Sequence, residues 1–187
     1  MTVRTVEPAP LRMGIVSCAS IAERRAAPAM ASAPDVELIA VASRDPARAE
    51  TFARRFGCAV EHSYQALLNR ADIDALYLPL PTGMHHEWGA RALNAGKHVL
   101  VEKPLAVTAE EAAHLFGLAE ESGLVIRENY AFLHHAHHLA VRRAITEGVV
   151  GRPLSFCGDF GIPPRPSDDI RYRPELGGGA LLDLGGY

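Results

Sequence analysis

The chain has 187 residues, of which 48% are hydrophobic, and a formal net charge of -3, so it fits one large domain or one domain and part of a second. No basic stripe indicates nucleic-acid binding, no apolar run reaches the ~20 residues of a membrane-spanning helix, and residues 1–11 lack the apolar core of a secretory signal. We therefore expect a cytoplasmic protein without nucleic-acid or membrane partners.

Apolar runs alternate with helical patterns over residues 11–122, an order that predicts βαβ units around a parallel sheet. The predicted strands are residues 12–17, 36–43, 74–80 and 99–102. The predicted helices are residues 20–33, 46–56, 64–69, 85–95 and 109–122. Asp45 before Pro46, and Thr108 with Glu111 three residues later, are typical N-terminal helix caps.

The pattern changes in the last third of the chain. Residues 124–132 predict a strand, residues 136–147 a helix and residues 154–160 another strand, before a proline-rich loop and three consecutive glycines. No second full set of strands follows. We therefore expect an α/β protein with two parts. Residues 1–123 form a Rossmann-type, doubly wound parallel sheet that binds a dinucleotide, and residues 124–187 form the incomplete beginning of an α+β open-sheet substrate domain.

Lys103 stands at the end of an apolar strand, between Glu102 and Pro104. Pro104 cannot extend the hydrogen-bond ladder of a strand and favours extended backbone at the residue before it, so Lys103 is expected at the strand's carboxyl end. Open α/β sheets bind ligands at that edge. A lysine there donates a proton or holds a carbonyl oxygen, which makes Lys103 a candidate catalytic residue. The alternative is an ordinary surface lysine beside a strand.

The loop after the first strand is a degenerate form of the G-x-G-x-x-G/A fingerprint, whose small residues let backbone N–H groups approach a pyrophosphate. Ser17 and Ala19 stand where the first two glycines are expected, and Ala22 fits the third place. Ser17 is compatible with the turn, although its Cβ weakens the approach of a phosphate. The loop alone is therefore a weak indication of a dinucleotide site.

The end of the second strand favours a phosphorylated cofactor. NAD-preferring domains have an acidic residue there for the ribose hydroxyls. This chain has Ser43 and Arg44 instead, and a hydroxyl and a guanidinium suit a 2′-phosphate. NADP(H) is therefore predicted in preference to NAD(H), with a solvated loop arginine as the alternative for Arg44.

Taken together, these features resemble the glucose-fructose oxidoreductase/inositol dehydrogenase (Gfo/Idh/MocA) family of NAD(P)-dependent sugar oxidoreductases. The resemblance covers nearly the whole chain, and its most specific parts are residues 95–104 and 177–187. Residues 127–135 and 161–174 look like the branch that reduces the 3-keto group of nucleotide-linked (dTDP-type) deoxysugars. The resemblance implies an enzyme of deoxysugar biosynthesis for antibiotics and other secondary metabolites.

The resemblance assigns catalytic roles to three residues. Lys103 matches the family's active-site lysine, Asp183 the acidic residue of the G-G-G-x-L-x-D-x-G-x-H/Y pattern, and Tyr187 the tyrosine of the 3-ketoreductase branch. In the implied mechanism NADPH reduces the C3 carbonyl while Tyr187 donates a proton and Lys103 orients the oxygen and lowers the pKa of the tyrosine. Asp183 positions the sugar. The spacing of four predicts that one helix face carries Asp183 and Tyr187.

The same resemblance gives a set of residues expected to bind the cofactor: Ser17, Cys18, Ala19, Ser20, Ile21, Ser43, Arg44, Pro81, Thr82, His85, Glu102 and Lys103. For His85 the sequence leaves open an approach to the cofactor or solvation at the start of a helix. The expected substrate is a nucleotide-linked ketosugar, and the full-length family is expected to form homo-oligomers.

Two charged clusters have simpler interpretations. The histidines of residues 134–138 suggest a metal, but no carboxylate or cysteine accompanies them at ligand spacing and the resembled family needs no metal, so no metal site is predicted. The charged residues of 165–173 form a solvated loop, or else Tyr172 and Arg173 meet the nucleotide diphosphate.

The sequence ends at Tyr187, where members of the family continue through further strands, so we expect a chain truncated at its C-terminus. Two interpretations stay open. The first is an NADPH-dependent 3-ketosugar reductase, supported by the ketoreductase motifs. The second is a catalytically silent remnant that binds dinucleotide, supported by the ending and by Ser17 and Ala19. A third, weaker interpretation is a family reductase or dehydrogenase that acts on another sugar or cyclitol.

Overall fold

The centre of the molecule is a six-stranded sheet in which every pair of neighbours is parallel. The structure is a computed structural model and describes residues 9–187. The strands are β1 (Leu11–Val16), β2 (Val36–Ala42), β3 (Ala59–Glu61), β4 (Ala75–Leu78), β5 (His98–Glu102) and β6 (Ile126–Asn129). Their order is β3-β2-β1-β4-β5-β6, so the direction of winding reverses between β1 and β4. Ligands bind beyond the carboxyl ends of the strands at such a reversal.

The helices within residues 9–187 lie on both faces of the sheet or follow it. They are α1 (Ala27–Ser32), α2 (Pro46–Phe56), α3 (Tyr64–Leu68), α4 (His85–Asn94), α5 (Ala109–Ser122), α6 (Ala136–Thr146) and α7 (Ala180–Leu184). A π-helical turn, Ala22–Ala26, leads into α1. None of these helices is long and apolar enough to span a bilayer.

Two apolar cores hold the layers together. Buried side chains of α3, α4 and α5, such as Leu67, Leu93 and Leu115, pack in one core with the side chains of the central strands. Met30 of α1 and Phe52 of α2 belong to the other core. The prediction of a doubly wound, Rossmann-type parallel sheet is confirmed.

The predicted caps are present. The Asp45 carboxylate accepts hydrogen bonds from the backbone N–H groups of Ala47 (3.0 Å) and Arg48 (3.2 Å) at the start of α2. Thr108 Oγ1 accepts from the N–H of Glu111 at 3.2 Å, while the Glu111 carboxylate accepts from the N–H of residue 107 rather than from that of Thr108. These caps fix the directions in which α2 and α5 leave the sheet.

The region after α5 departs from prediction in two ways. β6 is shorter than the predicted strand 124–132 and pairs in parallel with β5, so the sheet continues past the predicted boundary at residue 123. The predicted strand 154–160 is wrong, because these residues form no strand and Phe156 is 93% exposed. Strand backbone needs a neighbour for its hydrogen bonds, and no described segment pairs with it. The predicted division into two domains stays a prediction.

The end of the chain folds back over the carboxyl edge of the sheet. A 3-10 turn, Pro174–Leu176, packs against a 3-10 turn that follows β4, Thr82–Met84. Gly177 has a φ of 74°, and a Cβ added there would lie 2.8 Å from the backbone nitrogen of Gly83. This close backbone approach requires glycine and sets α7 beside the end of β5.

Candidate functional site

Lys103 follows the last residue of β5 and is joined to the end of the chain. Its Nζ donates hydrogen bonds to the backbone carbonyl of Asp183 at 2.6 Å and to Asp183 Oδ1 at 2.7 Å. The two side chains are only 15% and 20% exposed. The lysine at the strand end therefore meets the carboxylate of the glycine-rich segment in the fold.

Asp183 is shared between two cations. Its Oδ2 accepts from Arg171 Nε at 2.8 Å, and Arg171 Nη1 also lies 3.2 Å from Asp169 Oδ1. Burial raises the pKa of Asp183, but the hydrogen bond from Lys103 and the charges of Lys103 and Arg171 outweigh burial and hold the pKa below its usual value. Asp183 is therefore a carboxylate at neutral pH that holds Lys103 in place.

Tyr187 lies beside Lys103 but not on a helix. Helix α7 ends at Leu184 and Gly185 caps it, so the prediction that one helix face carries Asp183 and Tyr187 is wrong. The helix ends early because two glycines lie between α7 and Tyr187, and glycine favours the end of a helix. Lys103 Nζ lies 5.2 Å from the centroid of the Tyr187 ring.

The predicted lowering of the Tyr187 pKa is also wrong. Burial raises this pKa, and the negative charges of Glu102 and Asp183 raise it further, while Arg171 alone opposes them. Lys103, whose Nζ is hydrogen-bonded to Asp183, does not reverse this shift. Tyr187 is therefore a protonated phenol at neutral pH.

Aromatic side chains enclose part of the Tyr187 ring. Its centroid lies 4.9 Å from that of Phe132, 5.3 Å from Phe160 in a stacked arrangement and 5.8 Å from Tyr130. A Cβ added to Gly186 would collide with the Tyr130 hydroxyl. Tyr130 and Phe132 before α6, together with Phe160 after it, thus form a wall against which Tyr187 packs. No spacing in the sequence indicates this contact.

The loop between β1 and the first helical turn keeps the geometry of a nucleotide-binding turn. Ser17 has a φ of 103°, and its N–H donates to the carbonyl of Ala42 at 2.8 Å. This left-handed backbone is the conformation that glycine adopts without strain and that other residues adopt at a cost. Ser17 therefore supplies the turn that the fingerprint assigns to its first glycine.

Basic side chains gather beyond the end of β2. Ser43 is half-buried, and its Oγ accepts from the N–H of Asp45 at 3.1 Å, while Arg44 is exposed. Arg48, which the sequence analysis missed, donates from Nη2 to the carbonyl of Cys18 at 2.6 Å. The position of Arg48 four residues after Arg44, about one helical turn, is the signal in the sequence that could have indicated a second basic side chain at this place. A cavity of about 250 Å³ lies between this arginine and the loop, and its lining residues are Cys18, Glu23, Ala47, Arg48, Thr51 and Phe52.

His85 is fully buried, so its predicted solvation is wrong. Its Nδ1 lies 2.8 Å from the carbonyl oxygen of Pro104 and its Nε2 lies 2.8 Å from that of Leu80. Burial lowers the pKa of the imidazole. Both ring nitrogens face backbone carbonyls inside the protein, so the ring ties the end of β4 to the segment after β5.

Three further residues of the predicted cofactor set, Glu102, Pro81 and Thr82, lie near the carboxyl ends of β4 and β5. Glu102 Oε1 accepts from the Tyr77 hydroxyl at 2.6 Å and from Asn129 Nδ2 at 2.7 Å, so this carboxylate bridges β4, β5 and β6. Burial and Glu102 raise the pKa of Tyr77. Pro81 and Thr82 are half-buried where the chain leaves β4. The cofactor roles of the whole set stay predictions.

A second cavity, of about 390 Å³, joins the loop after β1 to the segment before α7. Its lining residues are Ser20, Ile21, Arg24, Arg25, Arg165, Asp169 and Arg171. Tyr172 and Arg173, the pair suggested for a diphosphate, are not among them. The Tyr172 hydroxyl accepts from the N–H of Arg165 at 3.1 Å, and Arg173 Nε pairs with Glu175 at 2.7 Å.

The histidines of residues 134–138 act locally. His135 caps α6, with its Nδ1 accepting from the N–H of His137 at 3.1 Å, and the His138 ring packs on Phe132 at a centroid distance of 5.0 Å. Across residues 9–187, no group of three or more His, Cys, Asp or Glu side chains is placed to hold a metal ion.

Two family descriptions match the chain. Residues 11–130 match the oxidoreductase family with an NAD-binding Rossmann fold named GFO_IDH_MocA, and residues 138–187 match the GFO/IDH/MocA C-terminal domain.

Individual relatives are similar over most of this chain. It is 57% identical over 178 residues to a dTDP-3,4-didehydro-2,6-dideoxy-alpha-D-glucose 3-reductase of Saccharopolyspora spinosa, covering 95% of this chain and 54% of that reductase. It is 38% identical to D-xylose 1-dehydrogenase (NADP(+)) 2 of Haloferax volcanii, with the same coverage of 95% and 54%. The chain thus spans about half the length of the curated relatives it matches.

Solved structures agree with this comparison. KijD10, a 3-ketoreductase from Actinomadura kijaniata in complex with NADP and TDP-benzene, superposes with a TM-score of 0.91 at 51% sequence identity. The match covers 94% of this chain and 54% of that structure.

Proposed function

Because the chain belongs to the Gfo/Idh/MocA family of oxidoreductases, we propose that it carries the cofactor-binding part and the Lys103 and Tyr187 pair of a sugar 3-ketoreductase. The proposed reaction is the NADPH-dependent reduction of the 3-keto group of a dTDP-linked deoxyhexose. The relatives from S. spinosa and A. kijaniata, which are named as 3-reductases of a dTDP-linked didehydro-dideoxyglucose, support this choice of substrate. The observation that carries the proposal is the meeting of Lys103, Asp183 and Tyr187 at the carboxyl end of β5.

The residues beyond β1 and β2 fit NADPH. The left-handed turn at Ser17 brings the loop's backbone to the start of the first helical turn, where a pyrophosphate is bound in folds of this kind. Arg44 and Arg48 supply guanidinium groups. The two positions directly after β2 are Ser43 and Arg44, and neither is acidic. Guanidinium groups suit the 2′-phosphate of NADP(H) and give no preference to NAD(H). Bound NADPH supplies the hydride.

In the proposed mechanism Lys103 holds the oxygen of the substrate ketone. An ammonium group has three hydrogen-bond donors, and Asp183 uses two of them through its carbonyl and Oδ1. The third is available for the ketone oxygen, where the charge of Lys103 stabilises the negative charge that develops during reduction.

Tyr187 donates the proton to the same oxygen. Its raised pKa keeps the phenol protonated at neutral pH, which is the state a proton donor requires. Phe132, Phe160 and Tyr130 hold the ring against one wall of the site. Asp183 contributes by positioning Lys103 rather than by transferring a proton, because its lowered pKa leaves it ionised.

Substitution of Lys103 by alanine tests this function. We expect Lys103→Ala to lower the rate of NADPH consumption with a dTDP-3-keto-deoxyhexose by at least about 10²-fold, because the group that holds the reacting oxygen is lost. Calorimetry should find NADPH affinity within about twofold of wild type. Arg142→Ala, at an exposed position of α6, is the control and should keep both values. Unchanged turnover in Lys103→Ala would remove the residue from catalysis.

A second function is dinucleotide binding without turnover. The left-handed turn at Ser17 favours it, because this turn shapes the cofactor loop and adds nothing to the reacting groups around Lys103. NADPH binding by calorimetry, without NADPH consumption in the presence of the ketosugar, would support this function against the reductase.

A further inference from the structure

Arg171 is the third member of a row of alternating charges that begins at Lys103. Lys103 Nζ donates to Asp183 Oδ1 at 2.7 Å, and Arg171 Nε donates to Asp183 Oδ2 at 2.8 Å. Arg171 Nη1 in turn donates to Asp169 Oδ1 at 3.2 Å. The row therefore joins the end of β5 to the loop before α7 through charge-assisted hydrogen bonds.

Each oxygen of the Asp183 carboxylate thus has a cation of its own. The side chain of Asp183 is mostly buried, so these two cations replace water in stabilising its charge. With Arg171 on Oδ2, a single oxygen of the carboxylate is left for Lys103. Lys103 uses one donor on that oxygen and one on the backbone carbonyl of Asp183, and its third donor stays free.

Loss of Arg171 would change how Asp183 holds Lys103. A guanidinium group is planar and its donors have fixed directions, so it sets the plane of the carboxylate that it contacts. Without Arg171, Oδ2 would be a partly buried, charged acceptor without a donor, which costs free energy. Lys103 is the other cation paired with this carboxylate, so the carboxylate would turn until both oxygens face Lys103 and occupy its third donor.

The backbone around Arg171 is fixed as well as its side chain. The N–H of Arg171 donates to Asp169 Oδ1 at 2.9 Å, at the start of the 3-10 turn Ile170–Tyr172. Gly178 lies against this turn, and a Cβ added to it would lie 2.8 Å from the carbonyl oxygen of Arg171. The turn that carries Arg171 is therefore packed directly against the segment leading into α7, the helix that carries Asp183.

From these contacts we propose that Arg171 is a positioning residue, which holds Asp183 so that one donor of Lys103 stays free for the ketone oxygen. Arg171 acts through Asp183 and does not touch the reacting atoms. The inference rests on the proposed function for the ketone, whereas the contacts among Lys103, Asp183 and Arg171 do not depend on it.

Kinetics of three variants test this role. We expect Arg171→Gln to lower kcat for the dTDP-3-keto-deoxyhexose by about tenfold or more, because Lys103 loses its free donor, with both Michaelis constants within about twofold of wild type. Arg171→Lys keeps a positive charge beside Asp183 and should recover part of the loss. Asp169→Asn leaves Arg171 in place and should lower kcat by a smaller factor. The control Arg142→Gln, on α6, should match wild type.

An NMR measurement reports on Lys103 without turnover. The chain contains two lysines, Lys97 and Lys103, so labelling with [ε-13C]lysine gives two side-chain signals, and Lys103→Ala identifies the one from Lys103. We expect Arg171→Gln to move the Lys103 signal and to leave the Lys97 signal in place, because Lys97 Nζ donates to two other backbone carbonyls at 2.6 and 2.8 Å. Arg142→Gln should move neither signal.

Three results would overturn the proposal. The first is a wild-type kcat in Arg171→Gln. The second is a higher Michaelis constant at unchanged kcat, which would assign Arg171 to ligand binding. The third is an unmoved Lys103 signal in an Arg171→Gln chain that far-UV circular dichroism shows to be folded. Asp169→Asn, which keeps Arg171, supplies the same measurements should Arg171→Gln fail to fold.

The two kinds of measurement also separate this inference from the proposed function. A chain that consumes no NADPH with the ketosugar, yet whose Lys103 signal moves in Arg171→Gln, would refute the reductase and keep the role of Arg171. Turnover at the wild-type rate in both Arg171→Gln and Asp169→Asn would refute that role and keep the reductase.

Discussion

Asp183 is the residue on which the arrangement of the candidate site depends. Its carboxylate accepts from Lys103 and from Arg171, and its backbone carbonyl accepts from Lys103 as well. Because Lys103 and Asp183 are 80 positions apart, their contact is a product of the fold and not of local structure. A single carboxylate thus joins the lysine after β5 to an arginine of the loop before α7.

Some of these residues could be predicted from the sequence and others could not. Pro104 after an apolar run placed Lys103 at a strand end, because proline limits the backbone on both sides of itself. The pKa of Tyr187 was predicted in the wrong direction, because the sequence does not show that the ring is partly buried and lies near Glu102 and Asp183. Arg48 was missed, because its role depends on a contact with the carbonyl of residue 18.

Ser17 provides a test of backbone strain. We expect Ser17→Gly to raise the free energy of unfolding by about 1 kcal/mol, because glycine adopts a φ of 103° without the strain that serine has there. Urea denaturation measures the change. Ser63→Gly is the matched control, since Ser63 has a φ of -153° and caps α3, so its replacement should lower stability slightly. A Ser17→Gly chain less stable than wild type would contradict the strain argument.

Arg44 provides a test of cofactor choice. We expect Arg44→Ala to weaken NADPH by about tenfold or more and NADH by less than about twofold, because only NADPH carries the 2′-phosphate. Calorimetry with both cofactors measures the ratio. Arg54→Ala, at the far end of α2, should leave both affinities unchanged. Equal losses for the two cofactors would remove Arg44 from the phosphate site.

Among the secondary-structure elements, β1 and β4 are joined at their amino ends by an ion pair. Asp74 accepts from the backbone N–H of Arg12 at 3.0 Å, from its Nε at 2.9 Å and from its Nη2 at 2.6 Å. The hydrogen bond from the Arg12 side chain is the main reason that the pKa of Asp74 is lowered to about 2. This pair fixes the register of the two strands between which the winding reverses.

The Arg12 and Asp74 pair predicts how stability depends on pH. The pKa of Asp74 is about 2 in the folded chain and 3.8 in its ordinary state, so the unfolded chain binds more protons between about pH 4 and pH 2. Stability contributed by this pair is therefore present above pH 4 and declines as the pH falls toward 2. Urea denaturation should show a shallower decline in Asp74→Asn than in wild type. Asp159→Asn, at an exposed position, should keep the wild-type profile, and an equal decline in Asp74→Asn would contradict the assignment.

Elements with their own caps were predicted well, whereas elements that depend on a neighbour were not. The bounds of α2 follow from Asp45, Pro46 and Gly57, all of which are local signals. β3 was missed, because three residues are too few to show a strand pattern. Residues 154–160 have an apolar pattern but no described partner, and pattern alone does not make a strand.

For the molecule as a whole, exposed apolar side chains are concentrated in the second half. Large apolar residues that are more than 70% exposed are Val149, Leu154, Phe156 and Leu181. By contrast, the apolar side chains of the two cores that pack against the sheet are buried. The Rossmann-type sheet could be predicted because its alternation of strands and helices repeats along the chain. The surroundings of residues 149–162 could not, because their side chains pack on little of the described structure.

This exposed surface predicts self-association. We expect the double substitution Leu154→Ser with Phe156→Ser to reduce binding of the dye ANS and to shift the chain toward monomer, since contiguous exposed apolar surface drives association. Fluorescence and sedimentation velocity measure the two effects, and far-UV circular dichroism should be unchanged. Phe116→Ser, on α5, is the control for a general loss of exposed apolar area. Unaltered ANS binding and sedimentation in the double variant would contradict the prediction.

The pairing of β6 with β5 has a practical consequence for dissecting the chain. Backbone groups of residues 99–102 bond to residues 126–129, so a fragment cut after residue 123 would lose four of the sheet's paired positions. The exposed edge of β5 would then be a template for joining another copy. A shorter piece for crystallisation or for use as a fusion partner should therefore extend through Tyr130, and a protease that removes the remainder cleanly should cut in the turn Ala131–His134.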